Sequence, residues 1–456
     1  MFDAATNTST GAAARGSLLR VLGVTFGVAL GVGASIGAGF FRIPAIVAAQ
    51  LHDPWWITGI WLVVTGYVFV DANTNAELSA MLPQAGGTYV FATRAFGSFP
   101  GFLLGWTDWV INTSAIAFVA ATFIDFLALE WPPAGPLHAV LGASLIAAFA
   151  ALHLLGVRIG SRTQIVLSTF KVVGLLAVII ACATLSTGNS VPADPSVVQR
   201  IPAALPSLTA LVACWQLIQE TYAGATNAIV FAEENTNPGR AIPRAVFGSV
   251  MVVAIVYLSG VWALQYVLGP DRLAHSVFPL ADAARTVFGG NSGIFVTIVA
   301  LGVLLGLLNA NVMFTPRILF ALARGGLFAS KMAEVNARGT PTFALLTTAF
   351  AAILLVVTNR FDQLFTITAF LGLIPALATN ASLFVLRRRE PHLHRPFRAI
   401  GYPWIPAVAV CVPAAVVVGA SVTDPRNSAI GLGLVALAYP AYRALRTLGR
   451  SPLRGG

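Results

Sequence analysis

The sequence predicts an all-α integral membrane protein with about twelve transmembrane helices. Three observations support this class: 57% of the 456 residues are hydrophobic, only 10% are charged, and the mean hydropathy is +0.82. Apolar stretches of about 20 residues, the length that crosses roughly 30 Å of hydrocarbon, follow one another along the chain. They lie near residues 21–49, 55–82, 99–128, 137–155, 163–186, 207–232, 244–268, 293–322, 341–358, 364–386, 403–422 and 428–446.

The first stretch carries four glycines within residues 30–41, LGVGASIGAGFF. Glycine costs a helix about 1 kcal/mol relative to alanine, and an unpaired amide in hydrocarbon costs several more. We therefore expect this helix to break near the middle of the membrane, where its free amides and carbonyls could bind charged groups. The alternative is that these small residues only permit close helix packing. The stretch is too long for a signal peptide.

The sixth stretch contains a second polar and glycine-bearing interruption, residues 220–227, ETYAGATN. It comes five stretches after the first, and five is odd, so two halves of five spans would enter the membrane from opposite sides. Two interruptions in register predict an inverted repeat with a binding site at its centre. The predicted units are a disordered cytoplasmic N-terminus (1–20), a first repeat (21–186), a second repeat (207–386), two accessory spans (403–447) and a cytoplasmic tail (448–456).

Prolines and glycines mark other features of the stretches. Pro83 follows the second stretch and Pro100 opens the third, as expected where helices end and begin. Residues 188–206 contain four prolines and are expected to form an extracellular linker between the halves. In the eighth stretch, Gly302 and Gly306 would allow a close approach to the first helix.

The net charge of +10 reports topology rather than a polyanionic partner. Most of the 27 Lys and Arg residues fall in alternate loops, on the side of the N-terminus. The positive-inside rule then places both termini in the cytoplasm, with the chain in the inner or plasma membrane. We expect membrane lipid as a partner and no nucleic acid.

The sequence offers no catalytic or metal-binding pattern. Cys182, Cys214 and Cys411 lie in apolar stretches, and the six histidines are scattered. Neither the spacing of metal ligands nor that of a catalytic triad is present. We therefore expect no metal, no cofactor and no enzymatic activity.

Five segments resemble the amino acid-polyamine-organocation (APC) superfamily of amino acid permeases. The glycine motif of the first helix and the exit of helix two are the most specific, and the likeness extends over nearly the whole chain. The segments are residues 33–41 (GASIGAGFF), 76–89 (AELSAMLPQAGGTY), 233–244 (EENTNPGRAIPR), 309–328 (NANVMFTPRILFALARGGLF) and 395–404 (RPFRAIGYPW).

The resemblance implies a leucine-transporter-like fold, with helices 1 and 6 broken, and secondary transport of amino acids or related amines. Within the first break it implies that groups of Ser35, Ala38 and Gly39 hold the substrate carboxylate, and Ile36 and Gly37 belong to the same turn. Carbonyls of the second break would hold the ammonium group. The residues concerned there are Glu220 and Ala223, with Tyr222 and Gly224 in the same turn.

The physical chemistry of a zwitterion agrees with this assignment. Both charges of an amino acid must leave water, so the site must present opposite partners a few ångströms apart. The start of the half-helix after Gly37 offers amides and the positive end of a dipole. Carbonyls at the other half-helix ends offer the complement, although the same polarity would also suit another dipolar amine.

Lys171 is an ionisable residue well inside the fifth stretch, about 13 Å of helix from Arg162. Such residues are functional candidates by default. In several members of the family that the chain resembles, a lysine here occupies the place of a sodium ion, and its titration is linked to proton coupling. The alternative is a lysine that snorkels to the inner face.

Glu220 is an unusual acid in an apolar setting. It is either a partner for a cationic or protonatable substrate, or a structural carboxyl hydrogen-bonded to its surroundings. Asp71 and Asp108, with nearby asparagines, are interpreted mainly as interhelical hydrogen-bonding groups, with substrate or proton binding as the alternative.

The predicted function is a permease for L-amino acids or related amines that works by alternating access, independent of sodium and coupled to protons. The alternatives are an amino acid or amine exchanger and a non-transporting sensor or heteromer subunit.

Overall fold

The computed structural model describes residues 17–185, 205–289, 292–358 and 372–423, with a few more between 433 and 443. This described part is helical, and β-structure in it is limited to two isolated bridges. The all-α prediction is confirmed. The helices are α1 (Val24–Ser35), α2 (Ala38–Leu51), α3 (Pro54–Met81), α4 (Thr88–Phe96), α5 (Ser98–Glu130), α6 (His138–Leu154), α7 (Val157–Leu185), α8 (Leu208–Tyr222), α9 (Pro238–His275), α10 (Pro279–Phe288), α11 (Ser292–Arg324), α12 (Thr342–Thr358), α13 (Leu373–Arg389) and α14 (Trp404–Thr423), with 3₁₀ turns at Pro132–Ala134, Ala223–Glu234 and Ser330–Ala333.

The membrane-spanning character is carried by the long helices. Within the described ranges, α3, α5, α7, α9 and α11 are each long and apolar enough to cross a membrane, and the pair α1 and α2, bent by 50°, makes a sixth span. The helices α6, α12 and α14 are apolar but shorter. The chain is thus a multi-span membrane protein, as predicted. The tenth and twelfth expected stretches, the linker, the tail and the first 16 residues fall wholly or partly outside the described residues.

The two halves of the chain repeat one order of elements. Each begins with an interrupted helix and continues with a long one, α3 or α9. A short helix of 9 or 10 residues then precedes a helix of 33 residues, and a helix of 17 residues follows. An inverted repeat of five spans predicts such a repeated order of elements, and the inverted relation of the two halves stays a prediction.

The first interruption is a short extended segment. Helix α1 ends at Ser35, after which Ile36 has φ −73° and ψ 108°. Gly37 is also extended, with φ −153° and ψ −157°, and α2 starts at the next residue. The second interruption differs, because α8 passes at Tyr222 directly into twelve residues of 3₁₀ turns.

Other glycines of the first stretch serve helix packing. A Cβ on Gly27 would lie 2.5 Å from the Cβ of Ala245 on α9, and one on Gly31 would lie 2.5 Å from that of Ser249. The two readings of the glycine motif therefore both apply, at different residues: Gly27 and Gly31 allow α9 to approach α1, and Gly37 lies in the break.

Two expectations about packing need correction. The predicted disorder of residues 1–20 does not extend to the end of that range, since Leu18 is buried. Directly after it, the amides of Val21 and Leu22 donate to Glu234 O, both at 3.0 Å. Gly302 and Gly306 of α11 face α7 rather than α1, because a Cβ on them would meet the Phe170 ring and the Lys171 side chain. The long side chains of Phe170 and Lys171 on α7 fill the space beside these two glycines.

Candidate substrate site between the interrupted helices

A cavity of about 1060 Å³ lies where the two interrupted helices meet. Residues of α3, α5, α11 and α13 complete its wall. Seven of the predicted site residues line it, namely Ser35, Gly37, Gly39, Glu220, Tyr222, Ala223 and Gly224. Ile36 and Lys171 are fully buried and are not part of this wall. Ala38 is the first residue of α2.

The start of α2 offers amides to the cavity. The first amides of a helix have no acceptor within the helix, and no side chain caps α2 at Gly37. The positive end of the helix dipole adds to this preference for an anion. Space beside the turn is small, since a Cβ on Gly39 would lie 3.3 Å from both Ile43 Cδ1 and Thr221 Cγ2. A side chain at position 39 would thus be crowded, and glycine instead leaves the backbone of this turn uncovered toward the cavity.

Lys171 binds backbone carbonyls on the α1 side of the break. Its ammonium donates to Gly33 O at 2.9 Å and to Ile36 O at 2.5 Å. The side chain has no exposed surface, so it does not snorkel to the inner face. The positive charge lies at the negative end of the α1 dipole and satisfies carbonyls that the break leaves without helical partners. Gly306 of α11 leaves the room for it.

Two further residues of α7 support α1, and the sequence argument missed them. Ser168 and Gln164 donate to Ala29 O of α1 at 2.6 and 3.3 Å, and Gln164 also accepts a hydrogen bond of 2.6 Å from Asn309 on α11. Gln164, Ser168 and Lys171 follow one another at intervals of four and three residues. This spacing puts polar groups on one face of an apolar helix, and it is the signal that would have found them.

Tyr257 on α9 joins the two interruptions and was also missed. Its hydroxyl lies 3.0 Å from Ser35 O and 3.0 Å from Thr221 O, so it donates to either carbonyl. Its ring stacks on Phe40, with centroids 4.7 Å apart, and meets the Tyr222 ring edge-on. A tyrosine in an apolar stretch signals a need for a buried partner, but the sequence does not show which one.

Glu220 presents its side chain to the cavity. Within the described residues its carboxylate has no hydrogen-bond or ion-pair partner, whereas its backbone carbonyl accepts the amide of Ala223. The other predicted acids are satisfied. Asp71 accepts hydrogen bonds from Asn75 at 3.0 Å and Asn380 at 2.8 Å. The hydroxyl of Thr88 donates to Asp108.

No cluster of His, Cys, Asp and Glu side chains able to hold a metal ion occurs among the described residues. The cavity is instead bordered by an uncapped helix start, backbone carbonyls, hydroxyl groups, the unpaired carboxylate of Glu220 and the guanidinium of Arg42, which lies over the Phe278 ring. Such a lining suits a small polar molecule with charges of both signs, bound largely by the backbone.

Comparison with known proteins decides the family. Residues 17–437 match the family model described as amino acid permease, which covers most of the chain. The chain belongs to the amino acid permease family. The resemblance drawn from the five sequence segments is thereby confirmed, and with it the prediction of a transporter rather than an enzyme.

Curated relatives of the permease are transporters and exchangers. It is 24% identical to the serine/threonine exchanger SteT of Bacillus subtilis, over 94% of this chain and 97% of that protein. It is 27% identical to the human large neutral amino acids transporter small subunit 2, over 93% and 80% of the two chains. The mouse Asc-type amino acid transporter 1 is 24% identical, over 94% and 82%.

In the permease, buried ion pairs lie at one end of the cavity-forming helices. Arg317 on α11 binds both carboxylate oxygens of Glu234, the last residue of the 3₁₀ segment, at 2.5 and 3.0 Å. Arg387 on α13 binds Glu77 on α3 in the same bidentate way, at 2.9 and 2.5 Å. The amide of Ala399 also donates to Glu77, at 2.6 Å. The Arg387–Glu77 pair joins the two halves of the permease, whereas the Arg317–Glu234 pair lies within the second half. None of these four residues lines the cavity.

Proposed function

We propose that the permease is a sodium-independent secondary transporter that carries L-α-amino acids or related amines across the cell membrane by alternating access, with coupling to protons. The observation that carries the proposal is the single cavity in which the uncapped start of α2 faces the turn at residues 220–224. A carboxylate at the first and an ammonium group at the second would satisfy both charges of an amino acid.

Sodium independence is inferred from Lys171. Its ammonium already occupies carbonyls at the end of α1, and it lies against α11. A cation bound to the same carbonyls would meet a like charge in a poorly screened site. Loss of the lysine proton would weaken the hydrogen bonds from Lys171 to Gly33 O and Ile36 O. Protonation of Lys171 would in this way be coupled to the conformation of the broken helix.

The substrate side chain is inferred to be neutral or basic. The unpaired carboxylate of Glu220 faces the cavity, and an ionised acidic substrate beside it would be repelled. The aromatic and small residues of the wall leave room for apolar side chains, in line with the relative described as a large neutral amino acids transporter.

Exchange is the second candidate, because the relative SteT is described as a serine/threonine exchanger. In exchange, the empty transporter returns too slowly to allow net uptake. The non-transporting alternatives, a sensor or a subunit that needs a partner, differ from both, since the purified chain alone would then move no substrate.

Uptake by the purified full chain in proteoliposomes separates these candidates. We expect accumulation in empty vesicles, an increase with an inward proton gradient, and an unchanged rate when choline replaces sodium. Uptake that requires an amino acid inside the vesicle would favour exchange, and a strict need for sodium would refute the role of Lys171. Absence of both uptake and counterflow would refute transport by this chain alone.

Substitution of the lysine is the matched test. Lys171→Ala should abolish or strongly impair uptake, because it leaves the carbonyls of Gly33 and Ile36 buried without a donor. Lys331→Ala removes the exposed lysine of a 3₁₀ turn and should leave uptake intact. Normal transport with unchanged pH dependence in Lys171→Ala would contradict the proposal.

A further inference from the structure

A second groove, of about 490 Å³, lies at the start of α9, away from the substrate cavity. Arg240 and Arg244 form one side of it, and Pro243, Phe247, Pro396 and Phe397 supply apolar walls. The segment before α14 packs tightly here, since a Cβ on Gly239 would lie 2.8 Å from Pro396. The rings of Phe247 and Phe397 are 5.9 Å apart. The groove thus combines two cations with an apolar surface.

The two arginines carry uncompensated charge. Both are exposed, and neither takes part in an ion pair of the described residues. The acids closest along the chain are engaged elsewhere, since Glu233 binds Arg324 and Glu234 binds Arg317. A groove with two free guanidinium groups favours an anion with several oxygen acceptors.

The position along α9 places the groove at a membrane surface. Arg244 directly precedes the apolar run of this spanning helix. On the same face, Met251, Ile255 and Trp262 are each more than half exposed, and Trp262 stacks on Tyr266. This lipid-facing stripe begins with arginine and ends with aromatic residues roughly 30 Å away, which matches the thickness of the hydrocarbon core.

We propose that this groove binds one anionic phospholipid of the surrounding membrane. The phosphate lies between Arg240 and Arg244, and an acyl chain follows Phe247 and the exposed stripe of α9 toward the middle of the bilayer. The two arginine charges favour an anionic headgroup over a neutral one. The apolar walls favour a lipid with an acyl chain over a free anion. This site is independent of the proposed transport activity.

Lipid retention by the purified full chain tests the proposal. The protein is equilibrated in detergent with an equal mixture of phosphatidylglycerol and phosphatidylcholine, and bound lipid is counted by native mass spectrometry. We expect preferential retention of one phosphatidylglycerol. The double variant R240Q/R244Q should reduce its retention on the order of 25-fold, because each basic residue near an anionic headgroup contributes roughly fivefold. R240Q and R244Q alone should each give part of this loss.

A second pair of arginines provides the matched control. Arg158 and Arg162 are also exposed, four residues apart and at the start of the apolar helix α7, but they do not line this groove. R158Q/R162Q should retain phosphatidylglycerol like the unsubstituted chain. Equal losses in both double variants would mean diffuse surface attraction and would overturn the proposal, as would no loss in R240Q/R244Q.

Two further measurements test whether the site binds a free anion instead and whether the variants are folded. Inorganic phosphate should not displace the bound lipid, and displacement would overturn the lipid assignment in favour of a free-anion site. The thermal midpoint of each variant in phosphatidylcholine alone reports folding. If R240Q/R244Q is unstable there, the stable single variants decide the outcome by their retention.

Discussion

Gly224 brings the two interrupted helices into contact at the scale of single residues. A Cβ at this position would lie 2.3 Å from the backbone carbon of Ala34 and 2.4 Å from its oxygen. Backbone atoms cannot rotate away as a flexible side chain can, so any other residue here must push α1 and the 3₁₀ segment apart. The close approach of the two helices at the proposed substrate site therefore requires glycine at position 224.

Gly224→Ala should therefore abolish substrate binding and transport while the chain still inserts. Gly66→Ala is the control, since Gly66 lies in α3 with nothing within 4 Å of its Cβ position, and it should be neutral or slightly stabilising. Binding to the purified variants, followed by a substrate-induced thermal shift, measures the effect. Wild-type affinity in Gly224→Ala would show that the two helices tolerate separation.

Glu220 is expected to set the order of substrates. A pair of unit charges about 4 Å apart is worth on the order of 4 kcal/mol at an effective dielectric constant of about 20, before desolvation. Glutamate and aspartate should therefore be the poorest substrates of the permease. Glu220→Gln removes the charge with little change of shape, so it should reduce this discrimination more than it lowers expression.

Competition uptake with all common amino acids measures the order in both proteins. Glu130→Gln serves as a control, because Glu130 ends α5 and accepts a hydrogen bond from Thr297 outside the cavity wall. If Glu220→Gln keeps the same substrate order and the same pH profile, Glu220 is structural.

At the scale of elements, α9 is the rigid support of both interrupted helices. It packs against α1 through Gly27 and Gly31, and Tyr257 donates to the ends of α1 and α8. Each interruption exposes carbonyls that hydrocarbon cannot satisfy. Lys171 from α7 satisfies two of them, and the single hydroxyl proton of Tyr257 from α9 satisfies one of two more at a time, which stabilises the breaks without help from the substrate.

Tyr257→Phe should destabilise this junction while keeping the ring contacts with Phe40 and Tyr222. Removing a buried donor costs about 1–3 kcal/mol where the acceptor stays buried, so we expect a lower thermal midpoint and weaker substrate binding. Tyr266→Phe on the same helix is the control, because Tyr266 is half-exposed and lies on the lipid-facing stripe. Equal midpoints for the two variants would exclude a supporting role for the Tyr257 hydroxyl.

At the scale of the whole molecule, the charge distribution predicts the orientation of the permease in the membrane. The alternation of basic loops predicts that the loop between α5 and α6 faces outward and the loop between α11 and α12 faces the cytoplasm. Residues of both loops are exposed, so their accessibility is open to direct measurement.

Single cysteines in these loops test the orientation. In a chain whose three native cysteines are replaced by alanine, Gly135→Cys should react with a membrane-impermeant maleimide in intact cells. Ala337→Cys should react only after the cells are permeabilised. The reverse pattern would contradict the positive-inside assignment, and transport by the cysteine-free chain confirms that it folds.

Much of the site was predictable because its chemistry belongs to the backbone. Glycines inside an apolar stretch mark Gly37 and Gly39, and polar residues inside another mark Glu220 and Gly224, wherever the helices pack. Ile36 shows the limit of that argument. It shares the turn with Ser35 and Gly37, yet its side chain is fully buried outside the cavity wall and its carbonyl accepts Lys171.

The sequence by itself determined the membrane class, the two interruptions, the family and the expected orientation. The class, the interruptions and the orientation follow from composition, spacing and local backbone energy, which act over a few residues, and the family follows from the resemblance of five segments. Only the tertiary structure decided that Tyr257 joins the breaks, that Lys171 lies against Ile36, and that Gly306 makes room for it. Such partners lie on helices far apart in the chain, and a helical sequence presents several faces of similar polarity. Which face meets which neighbour is set by the packing of all the helices together.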